Sequence, residues 1–222
     1  MKRIFDLVIG IIIGVSVSYY SDYIYLEMRK EGLTPSLPFV QRDQNWEVRP
    51  TDVFLIPFFG FEESSSHLLA SALGQDTGLK ITSTGSIPLP EKYLNKERNQ
   101  YNIDYLNPII SESINNLRDK SRNQLFIAIM KQDMYSGSNS WNFSLAGNFE
   151  NDISIVAMER LVPFETTNKG KAEKIFGDRS FKILKRTIGL QFYKHQRKTD
   201  VNSVLFSPIM SVNDIDRMGY SY

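Results

Sequence analysis

The sequence predicts an α/β (α+β) fold, a mixed sheet packed with helices, preceded by one N-terminal transmembrane helix. Three observations support this prediction. Short apolar runs alternate with longer amphipathic segments between residues 53 and 194, which is the pattern of a sheet covered by helices. A separate apolar segment occupies residues 4–25, and its length is close to that needed to cross a bilayer. Pro35, Pro38 and Pro50 fall between the two regions and indicate a linker.

These features divide the 222 residues into three parts. Residues 1–30 form the predicted transmembrane anchor, 31–51 a linker or extended arm, and 52–222 one folded domain. The domain is long enough to bury a sizeable core.

The flanking charges of the apolar segment predict its orientation. Lys2 and Arg3 precede it, and basic residues favour the cytoplasmic side, or the matrix side in a mitochondrion. The domain is then expected in the periplasm or the intermembrane space, and the two locations fit equally. The alternative is a cleaved signal peptide, because Ser16-Val17-Ser18 has the small-x-small pattern of a cleavage site. We predict a retained anchor.

Small residues recur along one face of the predicted membrane helix. Gly10, Gly14 and Ser18 are spaced by four, and such a stripe allows a second transmembrane helix to approach closely. Chance spacing in a glycine-containing anchor is the alternative. The stripe favours partners that are other subunits of a membrane complex, contacted within the lipid bilayer and through the domain.

The domain shows strands and helices in alternation. Asp52 opens it, and the apolar runs Val53–Phe59 and Leu125–Met130 predict buried strands. Ile153–Met158 is predicted to be the last strand. Further elements are predicted at 62–75 (helix), 78–86 (strand), 105–120 (helix) and 169–194 (long final helix). Trp141, Phe143 and Leu145 alternate with polar residues, which predicts an edge strand.

Composition excludes several functions. Lysine and arginine number 26 against 25 acidic residues, so charge gives no case for nucleic acid as a partner. The chain has no cysteine, which excludes thiol catalysis and zinc–cysteine sites. It has two histidines, His67 and His195, too few for a three-histidine metal site.

Several segments together resemble a known family. They are Arg98–Asn102, Asp133–Tyr135, Asn142–Gly147, Ile153–Leu161 and Ser207–Gly219. In this order they resemble the R-G-Q-Y-N, D-L-Y, N-F-V-F-G, V-A-V-V-S-x-x-R-L and S-N-S-L-x-x-x-D-R-K stretches of the archaemetzincins, zinc peptidases of the metzincin group. The resemblance spans residues 53–219 and implies a metzincin-like sheet packed with helices.

The resemblance also assigns positions to the zinc motif H-E-x-x-H-x-x-G-x-x-H. In that register Lys185 stands for the first histidine, Arg186 for the glutamate and Gly189 for the second histidine, and only His195 is retained. A zinc peptidase needs neutral imidazoles for the metal and a carboxylate to accept a proton from its water. We therefore predict no metal, no cofactor and no catalytic residue. The methionine beneath the metal would be replaced by Leu205, unless Met210 takes that place.

The sequence thus favours a non-catalytic, membrane-anchored protein that serves as an accessory or structural subunit of a membrane protein complex. One alternative is a metal-free peptide-binding module, in which Trp141, Phe143 and Leu145 form an edge that pairs with an extended segment. A less favoured alternative is a residual metallopeptidase with a rearranged site.

Overall fold

The computed structural model describes residues 50–138 and 141–222. The predicted anchor, with Gly10, Gly14 and Ser18, lies outside these ranges, as does nearly all of the predicted linker. Within the described ranges, no helix is both long enough and apolar enough to cross a membrane.

The described residues form nine strands and four α-helices. In chain order these are β1 Val53–Pro57, α1 Glu63–Thr77, β2 Ile81–Ser83, β3 Leu94–Asn95, β4 Gln100–Asn102, α2 Asn107–Ser113, β5 Leu125–Met130, β6 Met134–Ser136, β7 Trp141–Ser144, β8 Ala146–Asn148, β9 Ile153–Ala157, α3 Lys169–Gln191 and α4 Val212–Arg217. Short 3-10 turns lie at Glu91–Tyr93, Ile103–Tyr105 and Glu159–Leu161.

Five strands form the main sheet, in the order β2-β1-β5-β9-β8. The first four are parallel, and β8 is antiparallel to β9. Every residue of β1, β5 and β9 is buried, because these strands are apolar and are covered on both faces. The mixed sheet that the sequence predicts is confirmed, with one antiparallel strand at its edge.

The central strands send alternate residues into two separate cores, as the two-residue period of a strand requires. On one face Leu55 and Ile127 pack in a core shared with α1 and α3. On the other face Phe54 and Phe126 pack in a core shared with α2 and a second sheet, and their rings stack with centroids 5.2 Å apart. The main sheet is therefore the central layer of the domain.

The second sheet has the order β3-β4-β6-β7, and it corrects the predicted edge strand. The chain through Trp141, Phe143 and Leu145 does not form one strand, since β7 ends before Leu145 and β8 begins after it. β7 pairs with β6, where Trp141 lies opposite Ser136. The carbonyl of Leu145 accepts a hydrogen bond from the backbone N–H of Ala157 (3.0 Å), so the chain passes from the second sheet to the main sheet at this residue.

Helix α2 is shorter than the sequence predicts. It spans 107–113, where 105–120 is predicted, and Asn115 and Asn116 follow in a turn. Asparagine side chains compete with the helix for backbone hydrogen bonds and favour turns. The helix therefore ends at Ser113, although the amphipathic sequence pattern continues beyond it.

Helix α3 has a defined cap at each end. The side chain of Asn168 accepts a hydrogen bond from a backbone N–H of the first turn (3.0 Å), a common N-cap. The helix ends at Gln191, three residues before the predicted end. Lys194 adopts a left-handed conformation (φ 56°), and the chain turns so that the N–H of His195 donates to the carbonyl of Gly189 (2.9 Å).

The segment Gly219–Tyr222 returns along α3. Ser221 pairs in parallel with Ser203, and the N–H of Val204 donates to the carbonyl of Ser221 (2.7 Å). A Cβ on Gly219 would overlap the carbonyl of Asn202, so this close approach requires glycine. The segment brings Tyr222 against the last turns of α3.

Candidate functional site

The residues that the resemblance singles out lie at the end of α3. Lys185, Arg186 and Gly189 are within the helix, and His195 follows it. Residues four apart on a helix share a face, so Lys185 and Gly189 both point toward the segment Gly219–Tyr222. We refer to these four residues as the α3 site.

Lys185 is part of a buried ion pair. Its Nζ lies 2.5 Å from Oδ2 of Asp76 near the end of α1, and the two side chains are 8% and 10% exposed. The ammonium also lies 5.1 Å from the ring centroid of Tyr222, a distance at which a cation is attracted to the ring. Lys185 thus holds a positive charge where a zinc ligand would be neutral.

Gly189 faces a filled space. A Cβ at this position would lie 2.5 Å from Cε1 of Tyr222 and 2.8 Å from Cδ2 of Leu205, closer than real contacts allow. A histidine here would need the volume that these two side chains occupy. The space that the resemblance assigns to the second histidine is therefore closed.

Tyr222 is held in this position by several contacts. Its hydroxyl donates to the backbone carbonyl of Lys185 (3.3 Å), and its ring lies 5.1 Å from that of His195 and 5.5 Å from that of Tyr193. Burial raises the pKa of Tyr222, and Tyr193 and Asp76 raise it further. Tyr222 is therefore a neutral, packed side chain.

His195 is exposed and is placed by aromatic rings. It stacks on Tyr193 with centroids 5.5 Å apart and planes 27° apart. The other histidine, His67, is exposed on α1. Across residues 50–138 and 141–222, no group of three or more histidine, cysteine, aspartate or glutamate side chains is arranged to hold a metal ion.

The resemblance assigns Arg186 to the position of the catalytic glutamate. Its Nε donates to the carbonyl of Phe206 (3.3 Å). Burial lowers the pKa of Arg186 to about 10, and the charge of Arg197 contributes to the shift. Zinc chemistry needs neutral nitrogen ligands and a carboxylate. Lys185, Arg186 and Gly189 provide neither, so the residues present do not fit zinc.

Leu205 and Met210 are the two candidates for the position of the methionine that lies beneath the metal, and the structure distinguishes them. Leu205 is 1% exposed and packs with Leu190 and Tyr222. Met210 is 73% exposed. Leu205 therefore takes the place below α3, and Met210 has no part in it.

Two further cations are buried along α3, which sequence reasoning missed. Arg179, 1% exposed, forms hydrogen bonds of 2.7 Å with Asp216 on α4 and with Glu165. Lys182 pairs with Asp178 (2.9 Å) and donates to backbone carbonyls of α4. With Lys185 these residues follow a three-residue spacing on the helix. Arg179 and Lys185 bind acidic side chains of other segments, and Lys182 binds α4 through its backbone carbonyls. The row therefore fastens neighbouring segments to α3.

Four of the five segments that carry the resemblance meet elsewhere, between the second sheet and the end of β9. Asp133 accepts a hydrogen bond from Gln100 (2.7 Å) and pairs with Arg160, whose NH2 lies 2.7 Å from its carboxylate. Arg98 donates to Gln100 (2.8 Å). The guanidinium of Arg160 lies 4.2 Å from the ring centroid of Phe143. These motif residues form one polar network that joins four segments of the chain.

The three residues of the predicted partner edge, Trp141, Phe143 and Leu145, lie in different surroundings. Phe143 is 36% exposed beneath Arg160, whereas Leu145 is partly buried and packs against the core shared by α1 and α3. Trp141 is positioned by its backbone pairing in β7, and its side chain is outside the described part. Phe143 and Leu145 therefore do not share one exposed face.

Asp76 and Tyr222 are the site residues that sequence reasoning missed. Neither belongs to a recognisable motif, and both reach the α3 site from distant parts of the chain. The one local signal for Tyr222 is the alternation Tyr220-Ser221-Tyr222, which is typical of a short extended segment.

No protein-family model matches the sequence, and no curated protein is significantly similar to it. Three solved structures share the fold. The archaemetzincin of Archaeoglobus fulgidus, complexed with malonate, has a TM-score of 0.57 and 17% identity, over 78% of this chain and 95% of that chain.

The archaemetzincin of Methanopyrus kandleri has a TM-score of 0.57 and 18% identity, over 78% of this chain and 89% of that chain. A zinc-dependent peptidase of Methanocorpusculum labreanum has a TM-score of 0.60 and 14% identity, over 77% and 95%. The chain therefore has an archaemetzincin-like fold, as the resemblance predicts.

Proposed function

We propose that this chain is a non-catalytic, membrane-anchored protein of archaemetzincin-like fold, serving as an accessory or structural subunit of a membrane protein complex. The observation that carries the loss of catalysis is the contact of Tyr222 and Leu205 with Gly189. These side chains fill the space that a second zinc-binding histidine would need.

The charges of the α3 site support the same proposal. Lys185 and Arg186 bring two positive charges to the positions of a metal ligand and a general base, and a divalent cation is repelled by both. Asp76 is the carboxylate that contacts Lys185, and it is engaged in an ion pair with that residue. Around Lys185 and Gly189 the domain is packed rather than open.

Zinc content and peptide hydrolysis test this part of the proposal. We expect the purified full-length chain to contain well below one zinc per chain and to show no hydrolysis that a chelator abolishes. A His195→Ala variant should have the same zinc content as the unchanged protein. One zinc per chain that is lost in this variant would contradict the proposal and favour the residual metallopeptidase.

The membrane assignment rests on the sequence of residues 1–30. The absence of cysteine makes it directly testable, because a single introduced cysteine reports which side of the membrane it faces. We expect Lys120→Cys, on the exposed surface of the domain, to react with an impermeant maleimide added from the periplasmic or intermembrane side. Lys2→Cys should react only after the membrane is opened. The reverse labelling would contradict the proposed orientation.

A role as a subunit requires partners in a fixed ratio. After extraction in mild detergent, native mass measurement should give a complex of constant composition. Replacing Gly10 and Gly14 by leucine should release the chain, since larger side chains keep two membrane helices apart. Ile9→Leu with Ile13→Leu, at the same spacing on another face, is the matched control. A monomer in detergent would contradict the proposal.

The free edges of the two sheets favour a second candidate, a metal-free peptide-binding module. Within the described residues, β7 and β8 each pair with a strand on one side only, and Phe143 of β7 is partly exposed. An extended peptide can add to such an edge through backbone hydrogen bonds. This candidate predicts a variable set of bound clients in place of a complex with a constant composition.

A further inference from the structure

An open depression of about 310 Å³ lies beside the end of α3. It is lined by His195, Gln196, Arg197, Lys198, Leu205 and Tyr222. Its volume is at the lower end of the range for small-molecule sites. The space beside Gly189 is filled by Tyr222 and Leu205, so the depression is a different space.

The cations around this depression differ in how their charge is balanced. Lys185 pairs with Asp76 and Lys194 with Asp152. In the part of the chain that the structure describes, no carboxylate forms an ion pair with Arg186, Arg197 or Lys198. The carboxylate of Asp200, two residues beyond Lys198, instead accepts hydrogen bonds from the backbone and side-chain amides of Asn202 (2.9 and 3.1 Å).

Arg186 adds a charge near the lining residue Arg197, whose own charge acts on it. It is partly buried, and its Nε donates to the carbonyl of Phe206, the neighbour of the lining residue Leu205. The remaining guanidinium N–H groups have no partner among the described residues. Burial and Arg197 act together to disfavour the charged form of this guanidinium. A negative charge nearby would offset both effects.

The lining also includes two residues with apolar groups. They are Tyr222, whose ring lies 5.1 Å from that of His195, and Leu205, which is 1% exposed. A ligand with a charged group alone would leave these apolar groups unused. The lining instead suits a molecule with an oxyanion at one end and an apolar or aromatic body at the other.

We propose that this depression binds a small organic anion, a carboxylate or a phosphate monoester. Its charged group meets Arg197 and Lys198, and its apolar body lies against Tyr222 and Leu205. This binding site goes beyond the proposed function, since it requires neither a membrane partner nor a lost catalytic site.

Calorimetric titration of the detergent-solubilised full chain tests the proposal, with benzoate and phenyl phosphate as probes at constant ionic strength. We expect saturable binding of at least one probe, and the tighter of the two identifies carboxylate or phosphate as the preferred group. Benzyl alcohol, which has the ring without the charge, should not bind. In Arg197→Gln/Lys198→Gln the affinity should fall by about tenfold or more, because charge-assisted hydrogen bonds are lost.

The control is Lys96→Gln/Lys120→Gln, which removes two charges from exposed positions elsewhere. The affinity of this control for the probes should stay within about twofold of that of the unchanged protein. A change of that size is smaller than the loss of a hydrogen bond would cause. An equal loss of affinity in both double variants would show that net charge alone attracts the probes. That result would overturn the proposal, as would the absence of saturable binding or equal binding of benzyl alcohol.

Discussion

The ammonium nitrogen of Lys185 lies 2.5 Å from the carboxylate of Asp76, and both side chains are about nine-tenths buried. The pair joins the end of α1 to the late turns of α3 through the core on one face of the main sheet. Taking two charges out of water costs free energy that their mutual attraction has to offset. The position that the resemblance assigns to a metal ligand has therefore become a contact between two helices.

Removing one partner of this pair should be costly. We expect Asp76→Asn to lower the free energy of unfolding by about 3 kcal/mol, since it leaves the ammonium of Lys185 buried without a counter-charge. Urea denaturation measures the change. The matched control is Asp152→Asn, which breaks the exposed pair with Lys194 (3.1 Å) and should cost less than about 1 kcal/mol.

The double variant Asp76→Asn/Lys185→Met completes this test. It removes the buried charge together with its partner, so we expect it to recover much of the stability that Asp76→Asn loses. If Asp76→Asn were no more costly than Asp152→Asn, the Lys185–Asp76 pair would not be the buried contact described.

Gly189→Ala should destabilise the domain because the new methyl group meets Tyr222 and Leu205. Overpacking of this kind costs about 1–3 kcal/mol. Gly170→Ala, in the first turn of the same helix, is the matched control, since its Cβ would lie 3.7 Å from Asn168 in ordinary contact. It should be neutral or slightly stabilising.

A double-mutant cycle shows whether Tyr222 is the cause. Tyr222→Ala removes the ring that opposes Gly189, so Gly189→Ala should cost less in that background than in the unchanged protein. A coupling free energy above about 0.5 kcal/mol is expected for residues in contact. Strictly additive effects would mean that Tyr222 does not fill the space beside Gly189.

The sequence predicts the long elements of the main sheet well. β1 and β5 are continuous apolar runs, and β9 is interrupted only by Ser154. Burial on both faces favours such a composition. β3, β4, β6 and β8 have two or three residues each, too few to show a period. The division of the predicted strand at Leu145 was missed for the same reason, because apolar alternation continues across the change of sheet.

The α3 site is predictable only in part. The positions of Lys185, Arg186 and Gly189 follow from their register in the resemblance, but their partners do not. Asp76 and Tyr222 are distant in sequence, and their contacts arise from packing of the whole domain. Buried cations are also hard to foresee, since lysine and arginine are seldom fully buried without a partner.

Arg160→Lys should weaken the network that the motif residues form. Both Nε and NH2 of Arg160 bond to Asp133 (2.9 and 2.7 Å), and lysine lacks the planar fork needed for two such bonds. We expect a loss of about 1–2 kcal/mol in the free energy of unfolding. Arg217→Lys, at the exposed end of α4, should change stability by less than about 0.5 kcal/mol. Equal effects of the two substitutions would exclude a structural role for the Asp133–Arg160 pair.

Glu173 on α3 gives a prediction about pH. It is 5% exposed, and burial raises the pKa of its carboxyl, an effect that Lys169 at 3.9 Å only partly offsets. The folded state thus favours the protonated form. Below the ordinary value of 4.5 the carboxyl is protonated in both states, and as pH rises past it the unfolded state loses its proton first. Ionisation of Glu173 therefore lowers the free energy of unfolding toward neutral pH.

Glu173→Gln removes this titration while keeping the size of the side chain. The stability of the variant relative to the unchanged protein should increase between pH 4 and pH 7, as measured by urea denaturation at each pH, because only the carboxyl acquires a buried charge over that range. Glu112→Gln, on the exposed face of α2, should show a smaller change. A relative stability of Glu173→Gln that stays constant or falls with pH would mean that the Lys169 ion pair outweighs burial.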